Sequence, residues 1–266
     1  MEQGQLEKLR EWFDSYVAGF YGDDAYVNAN LKLKEDHSRR TCDEMRYLVE
    51  ELSLNDNQKR VAELIAIFHD IGRFRQFVKY KTYNDTRSED HCLLGLEVLR
   101  ETGVLQGIEK EERQLVEKAI EYHGRRQLSG DLSGESLLFL QLIRDADKLD
   151  VFYIVTESYK RYRKNPDEFN IEVEFEDAPR YSKEIVEDIL RGRLVDYSRL
   201  QTLNDMRLLQ LGWVYDVNFA ATLKRIRQRR FLEQIIDFLP RTEDIERVKA
   251  KIFKYVDSRI KQQGSA

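Results

Sequence analysis

The chain has 266 residues, a net charge of −5 and only three prolines. Its length allows one large domain or two small ones, and its wealth of Glu, Lys, Arg and Leu with few breakers favours helices. The acidic balance argues against a nucleic-acid polymer as partner, two cysteines (Cys42 and Cys92) are too few for a disulfide framework, and no apolar run approaches the roughly 18 residues of a membrane span.

The opening run MEQGQLEKLREWF is charged and amphipathic, without the apolar stretch of a signal peptide, so a cytoplasmic location is expected. Leu6, Leu9, Trp12, Phe13, Tyr16 and Val17 follow helical spacing until Gly22-Asp23-Asp24 breaks it. A second helix holds His37 and runs through Met45, Leu48 and Leu52, and Asn55-Asp56-Asn57 supplies a turn and an N-cap. The third, from about Gln58 to Ile71, is strongly apolar and is expected to end at Gly72.

From Arg73 to Asp90 the sequence reads as a loop, and Ser88 and Asp90 offer caps for a helix that begins with His91. A further helix runs from about Lys110 to Tyr122, followed by His123-Gly124 and a turn at Gly130 to Gly134. Another apolar helix, Leu137 to about Tyr162, contains the run RDADKLD. Phe169 to Phe175 (FNIEVEF) alternates apolar and charged residues and fits a short hairpin or an extended lid. Three or so helices finish the chain; in one of them KRIRQRR (Lys224 to Arg230) has the spacing of a solvated basic helix face. The expected fold is a single all-α domain over 1–266, with a core about 31–160 and a helical extension about 161–266.

All four histidines, His37, His69, His91 and His123, fall in the first half, and His69 directly precedes Asp70 at the end of the most apolar helix. Two adjacent ionisable groups there are costly unless paired or metal-bound, and imidazole nitrogen with carboxylate oxygen suits Zn, Mn or Fe. Asp147 and Asp150 share a helix face while Asp145 points elsewhere, and Arg144 and Lys148 bring positive charge beside them.

The series His37, His69-Asp70 and Asp147 in DADKLD, all in helical context, resembles the HD superfamily of metal-dependent phosphohydrolases over roughly Leu31 to Val155. The run HDIGRFRQF…TYNDTRSEDH is similar to that of a subset of bacterial HD proteins. The resemblance implies an all-α HD bundle in which His37, His69, Asp70 and Asp147 hold one divalent ion. By similarity to two-metal members, His91 and His123 would hold a second, bridged through Asp70. The paired histidine and signature of the HD-GYP phosphodiesterases are missing, so cyclic di-GMP is not expected. Glu89-Asp90 invites comparison with the acidic pair of the alarmone hydrolases, but the adjoining His91 makes a second metal more economical.

One or two ions, of Mn, Fe, Ni, Co, Mg or Zn, would activate water to attack a small phosphate ester or nucleotide. Asp70 would orient the nucleophile, and Lys148, Arg73 and Arg144 are candidates to hold phosphate oxygens. Tyr80, Thr82, Tyr83 and Asp85 are candidates to shape the pocket. Two alternatives share these ligands: a catalytically idle nucleotide-binding regulator, and a di-iron oxygenase of the HD type. A homo-oligomer is left open.

Overall fold

The structure is a computed structural model that describes residues 1–125, 132–165 and 175–263. It is all-α: the described residues form helices, short 3-10 turns and one isolated β-bridge. They gather into two compact units, Met1–Asp150 and Val151–Ala266.

The first unit contains α1 (Gln3–Ala18), α2 (Ala25–Glu51), α3 (Asp56–Phe68), α4 (Gly72–Tyr80), α5 (His91–Thr102), α6 (Lys110–Tyr122) and the start of α7 (Gly134–Lys164). Local side-chain bonds set the helix starts. Asn55 and Gln58 form a capping box at α3, and Asp90 accepts from the backbone N–H groups of Cys92 and Leu93 at α5. Every residue of α3 from Val61 to Phe68 is buried, so this helix is the axis on which the others pack. Phe13 of α1 meets Phe68 and Phe74 edge-on, at ring separations of 6.1 and 6.0 Å.

Two expectations change here. The apolar helix stops at Phe68 instead of Ile71, and α4 occupies the start of the stretch that reads as a loop. Charged residues in RFRQFVKYK conceal an apolar pair one turn apart, Phe74 and Phe77, both buried with Gln76 between them. Gly72 opens this helix rather than closing the previous one. A Cβ there would lie 2.3 Å from the carbonyl oxygen of His91 and 2.5 Å from the amide nitrogen of Gly95. Glycine is therefore required by the close approach of α4 to α5, not by a turn. Gly72→Ala should force backbone apart and cost about 3 kcal/mol, the upper part of the usual range for overpacking. A denaturant midpoint equal to that of the wild type would show that the approach is looser than described.

The second unit holds the rest of α7 together with α8 (Lys183–Leu190), α9 (Leu203–Gly212), α10 (Ala220–Gln228), α11 (Phe231–Ile236) and α12 (Glu243–Gln263). Phe152 stacks on Phe231 and meets Trp213 edge-on. The basic run behaves as its spacing predicts: Leu223 and Ile226 are buried, and Arg227 pairs with Glu233 at 2.8 Å. Of the expected strand-like run, Phe169 to Glu174 lie outside the described residues, as do Gly130 and Asp131 of the expected Gly130 to Gly134 turn. Glu176 makes an isolated parallel bridge to Thr202. No described helix is long and apolar enough to cross a membrane.

Candidate metal centre

Six side chains from five helices of the first unit, their caps and one connecting turn converge. His37 comes from the middle of α2, His69 from the C-cap of α3, and Asp70 from the turn that joins α3 to α4. His91 is the first residue of α5, His123 is the C-cap of α6, and Asp147 lies on α7. The four imidazoles and Asp70 are buried, while the Asp147 side chain is 31% exposed and is where solvent reaches the group.

Asp70 divides the group in two. Its Oδ2 lies 3.5 Å from His37 Nε2 and 3.8 Å from His69 Nε2, and its Oδ1 lies 3.6 Å from His91 Nε2 and 3.7 Å from His123 Nε2. Asp147 Oδ1 joins the first half, 3.2 Å from His37 Nε2. In each half the two imidazoles face one another through Nε2, at 3.2 Å in both cases.

The opposite ring nitrogens explain what those facing atoms can do. His69 Nδ1 donates to the carbonyl of Ala66 and His123 Nδ1 to that of Ile120, each at 2.8 Å. His37 Nδ1 donates to Asp150 Oδ2 and His91 Nδ1 to Asp85 Oδ2, each at 2.7 Å. With every Nδ1 committed as a donor, a ring in its neutral form presents its Nε2 lone pair to its partner. Two lone pairs at this separation repel unless a cation lies between them. Imidazole nitrogen beside carboxylate oxygen, backed by carbonyls and carboxylates, is a donor set that fits a divalent metal in each half.

The charges divide the four rings. Burial pushes the His69 imidazole down to about 4, so it stays neutral. Burial also opposes charge on the other three, but Asp147 and Asp150 raise His37, Asp85 and Cys92 raise His91, and Cys92 and Asp70 raise His123, so carboxylates and sulfur favour a cation at these positions. Burial would raise Asp70, but the Lys34 ammonium, His69, His123 and Arg73 outweigh it and hold the carboxyl well below the usual range. Burial likewise opposes ionisation of Asp85, yet its bond to His91 and the charge of Arg73 draw it down to about 2.

Of the expected cations, Arg73 stands at the centre. Its Nη1 donates to Gln76, to the Tyr83 carbonyl and to Asp85, while its buried Nε faces Asp70 Oδ1 at 3.5 Å without a hydrogen-bond partner. Lys148 is half-buried on α7, next in sequence to Asp147. Arg144 acts elsewhere, donating to the carbonyls of His123 and Arg125, so it anchors the end of α6.

Tyr83 and Asp85 lie at the site, the ring of Tyr83 beside Lys34 and Arg73 and the carboxylate of Asp85 on His91. Tyr80 instead bonds Glu89, and Thr82 accepts from the Asn84 N–H, so these two serve the loop itself. The acidic pair is also structural, since Glu89 pairs with Lys79 and Asp90 caps α5. Asp145 is fully buried on α7.

Sequence reasoning overlooks three residues. Lys34 Nζ lies 2.8 Å from Asp70 Oδ2; its signal is its place one turn before His37. Gln76, fully buried, ties Asp85, Ser88 and the Glu89 carbonyl together. Cys92 Sγ lies 3.5 Å from His91 Nε2 and 3.6 Å from His123 Nδ1. His37-His69-Asp70 and His91-Cys92-His123 are thus two buried groups able to hold a metal ion.

Comparison with protein families matches residues 35–151 to the HD domain, a span that contains every residue of the convergent group. No curated protein and no solved structure matches the chain.

Proposed function

Because residues 35–151 belong to the HD-domain superfamily, we propose that the chain is a divalent-metal-dependent phosphohydrolase acting on a small phosphate ester or nucleotide. The observation that carries this is the pair of facing imidazoles on either side of one buried carboxylate. His37, His69, Asp70 and Asp147 would hold one ion, and Asp70, His91 and His123 a second. Bound divalent ions supply a water acidified toward neutrality and neutralise charge on the phosphoryl oxygens.

The chain's own groups do the rest. Asp70 offers one oxygen to each half and so fixes their spacing. The unpartnered Arg73 Nε is a donor for a phosphate oxygen, and Lys148 is a second cation near the exposed edge at Asp147. Lys34 keeps Asp70 ionised. The deep burial of the histidines excludes bulk water, which strengthens each of these charge interactions, and a phosphoryl group would approach from the exposed side chain of Asp147.

The test is metal removal and replacement on the full chain. Protein stripped by a chelator should lose phosphate release from a panel of nucleotides and phosphate esters, and Mn, Co, Ni, Mg, Zn or Fe should restore it. Each ion at a thousandfold excess over its Kd should add about 4 kcal/mol of stability, visible as a rise in melting temperature. Metal retained without turnover on any phosphate ester would favour the regulatory alternative. A redox-active iron centre that consumes oxygen would favour the oxygenase.

A further inference from the structure

The second half of the centre contains a donor that the proposed reaction does not use. Cys92 follows His91 at the start of α5, and its thiol is buried between His91 and His123. Its backbone N–H is fixed by Asp90 Oδ1 at 2.8 Å, so the side chain departs from the first turn of a helix, where the macrodipole favours negative charge. On its far side lies Gly124. A Cβ at that position would sit 3.1 Å from Cys92 Sγ and 3.0 Å from His91 Cε1, so the backbone of residue 124 is packed directly on the thiol and the ring.

The distances have a chemical meaning. A tetrahedral ion with bonds of about 2.0–2.1 Å to nitrogen and about 2.3 Å to sulfur places those two ligand atoms roughly 3.5 Å apart. Cys92 Sγ and His91 Nε2 are 3.5 Å apart, and His91 Nε2 is in turn 3.2 Å from His123 Nε2 and 3.6 Å from Asp70 Oδ1. We propose that Cys92 is a thiolate ligand of the ion held by His91, His123 and Asp70. The two halves then differ in kind: the His37 half offers nitrogen and oxygen alone, and the His91 half adds sulfur. A soft ligand selects zinc, cobalt, nickel or iron over magnesium at that position.

Cys42 provides the contrast. It is equally buried, but its neighbours are Glu63 and Arg46 rather than imidazoles, and burial pushes its thiol up to about 12. It behaves as an inert core thiol.

The inference rests on the proposed metal centre, and the experiment separates the two. X-ray absorption on the zinc-loaded full chain should show a sulfur shell at about 2.3 Å beside the nitrogen and oxygen shell at about 2.0–2.1 Å. That shell should survive Cys42→Ser and vanish in Cys92→Ser. The cobalt-loaded protein should show a near-ultraviolet thiolate-to-cobalt band with the same dependence on Cys92. Bound zinc with only nitrogen and oxygen neighbours in the wild type overturns the ligand role of Cys92 and leaves the metal centre standing. Failure of the wild type to retain any ion overturns the reading beneath it.

Discussion

Asp70→Asn should abolish metal-dependent phosphate release, a loss on the order of 10³-fold or more, because both metal positions lose their shared ligand at once. The substitution keeps the shape of the side chain and removes its charge. One oxygen of Asp70 faces His37 and His69 and the other faces His91 and His123, so an amide can offer a carbonyl to one half only. The Lys34 ammonium, 2.8 Å from the lost charge, would then add to the repulsion against any incoming cation. Elemental analysis should find less than half the wild-type metal content, whichever ion is supplied. Circular dichroism should remain helical, because α3 and α4 are held by Phe68, Phe74 and Phe77 rather than by the carboxylate. A variant that hydrolysed the wild-type substrate at an undiminished rate would remove Asp70 from the mechanism.

How much of this can be seen in the sequence depends on how local each cause is. Helix starts are legible at Asn55 and Asp90 because a cap is a bond between neighbours in the chain. The HD pair and Asp147 are legible because charged groups beside apolar runs demand a partner. Gly72 misleads because its requirement comes from the backbone of α5, nearly twenty residues away. α4 escapes notice because its apolar stripe is only two phenylalanines wide among five basic and polar neighbours. The same limit applies within the site. Lys34, Gln76 and Cys92 are ordinary members of a helix or loop until folding places them against Asp70, Asp85 and His91. Asp85 reads as a wall of the pocket, yet its role is to hold the His91 ring.

The counterpart of Asp85 on the other half is Asp150, and it carries the second large expectation. Spacing puts Asp150 on the same helix face as Asp147 but assigns it no role. In the structure one turn of α7 separates a carboxylate that meets the Nε2 edge of His37 from one that meets its Nδ1 edge. Asp150 Oδ2 accepts from His37 Nδ1 at 2.7 Å, and the Arg40 guanidinium grips both oxygens, at 2.5 and 3.0 Å. Arg40 and His37 are themselves three residues apart on α2, so the carboxylate locks one helix face to the other. Asp150→Asn can still accept from His37, but it loses the charge that fixes the ring and leaves Arg40 without its forked partner. Outer-shell carboxylates of this kind are typically worth 10–100-fold in metal affinity. Breaking the pair should also cost roughly 3 kcal/mol, the low end for a buried ion pair, since about a third of the Arg40 side chain reaches water. Competition with a chromophoric chelator reads the first effect and a denaturant melt of the metal-free protein the second. A double-mutant cycle with Arg40→Met then separates them: stability should be strongly non-additive, because either change alone breaks the same pair. Metal affinity should fall in Asp150→Asn whether or not Arg40 is present. Were the affinity unchanged while stability fell, Asp150 would be a strut between α2 and α7 and the orientation of His37 would have another cause.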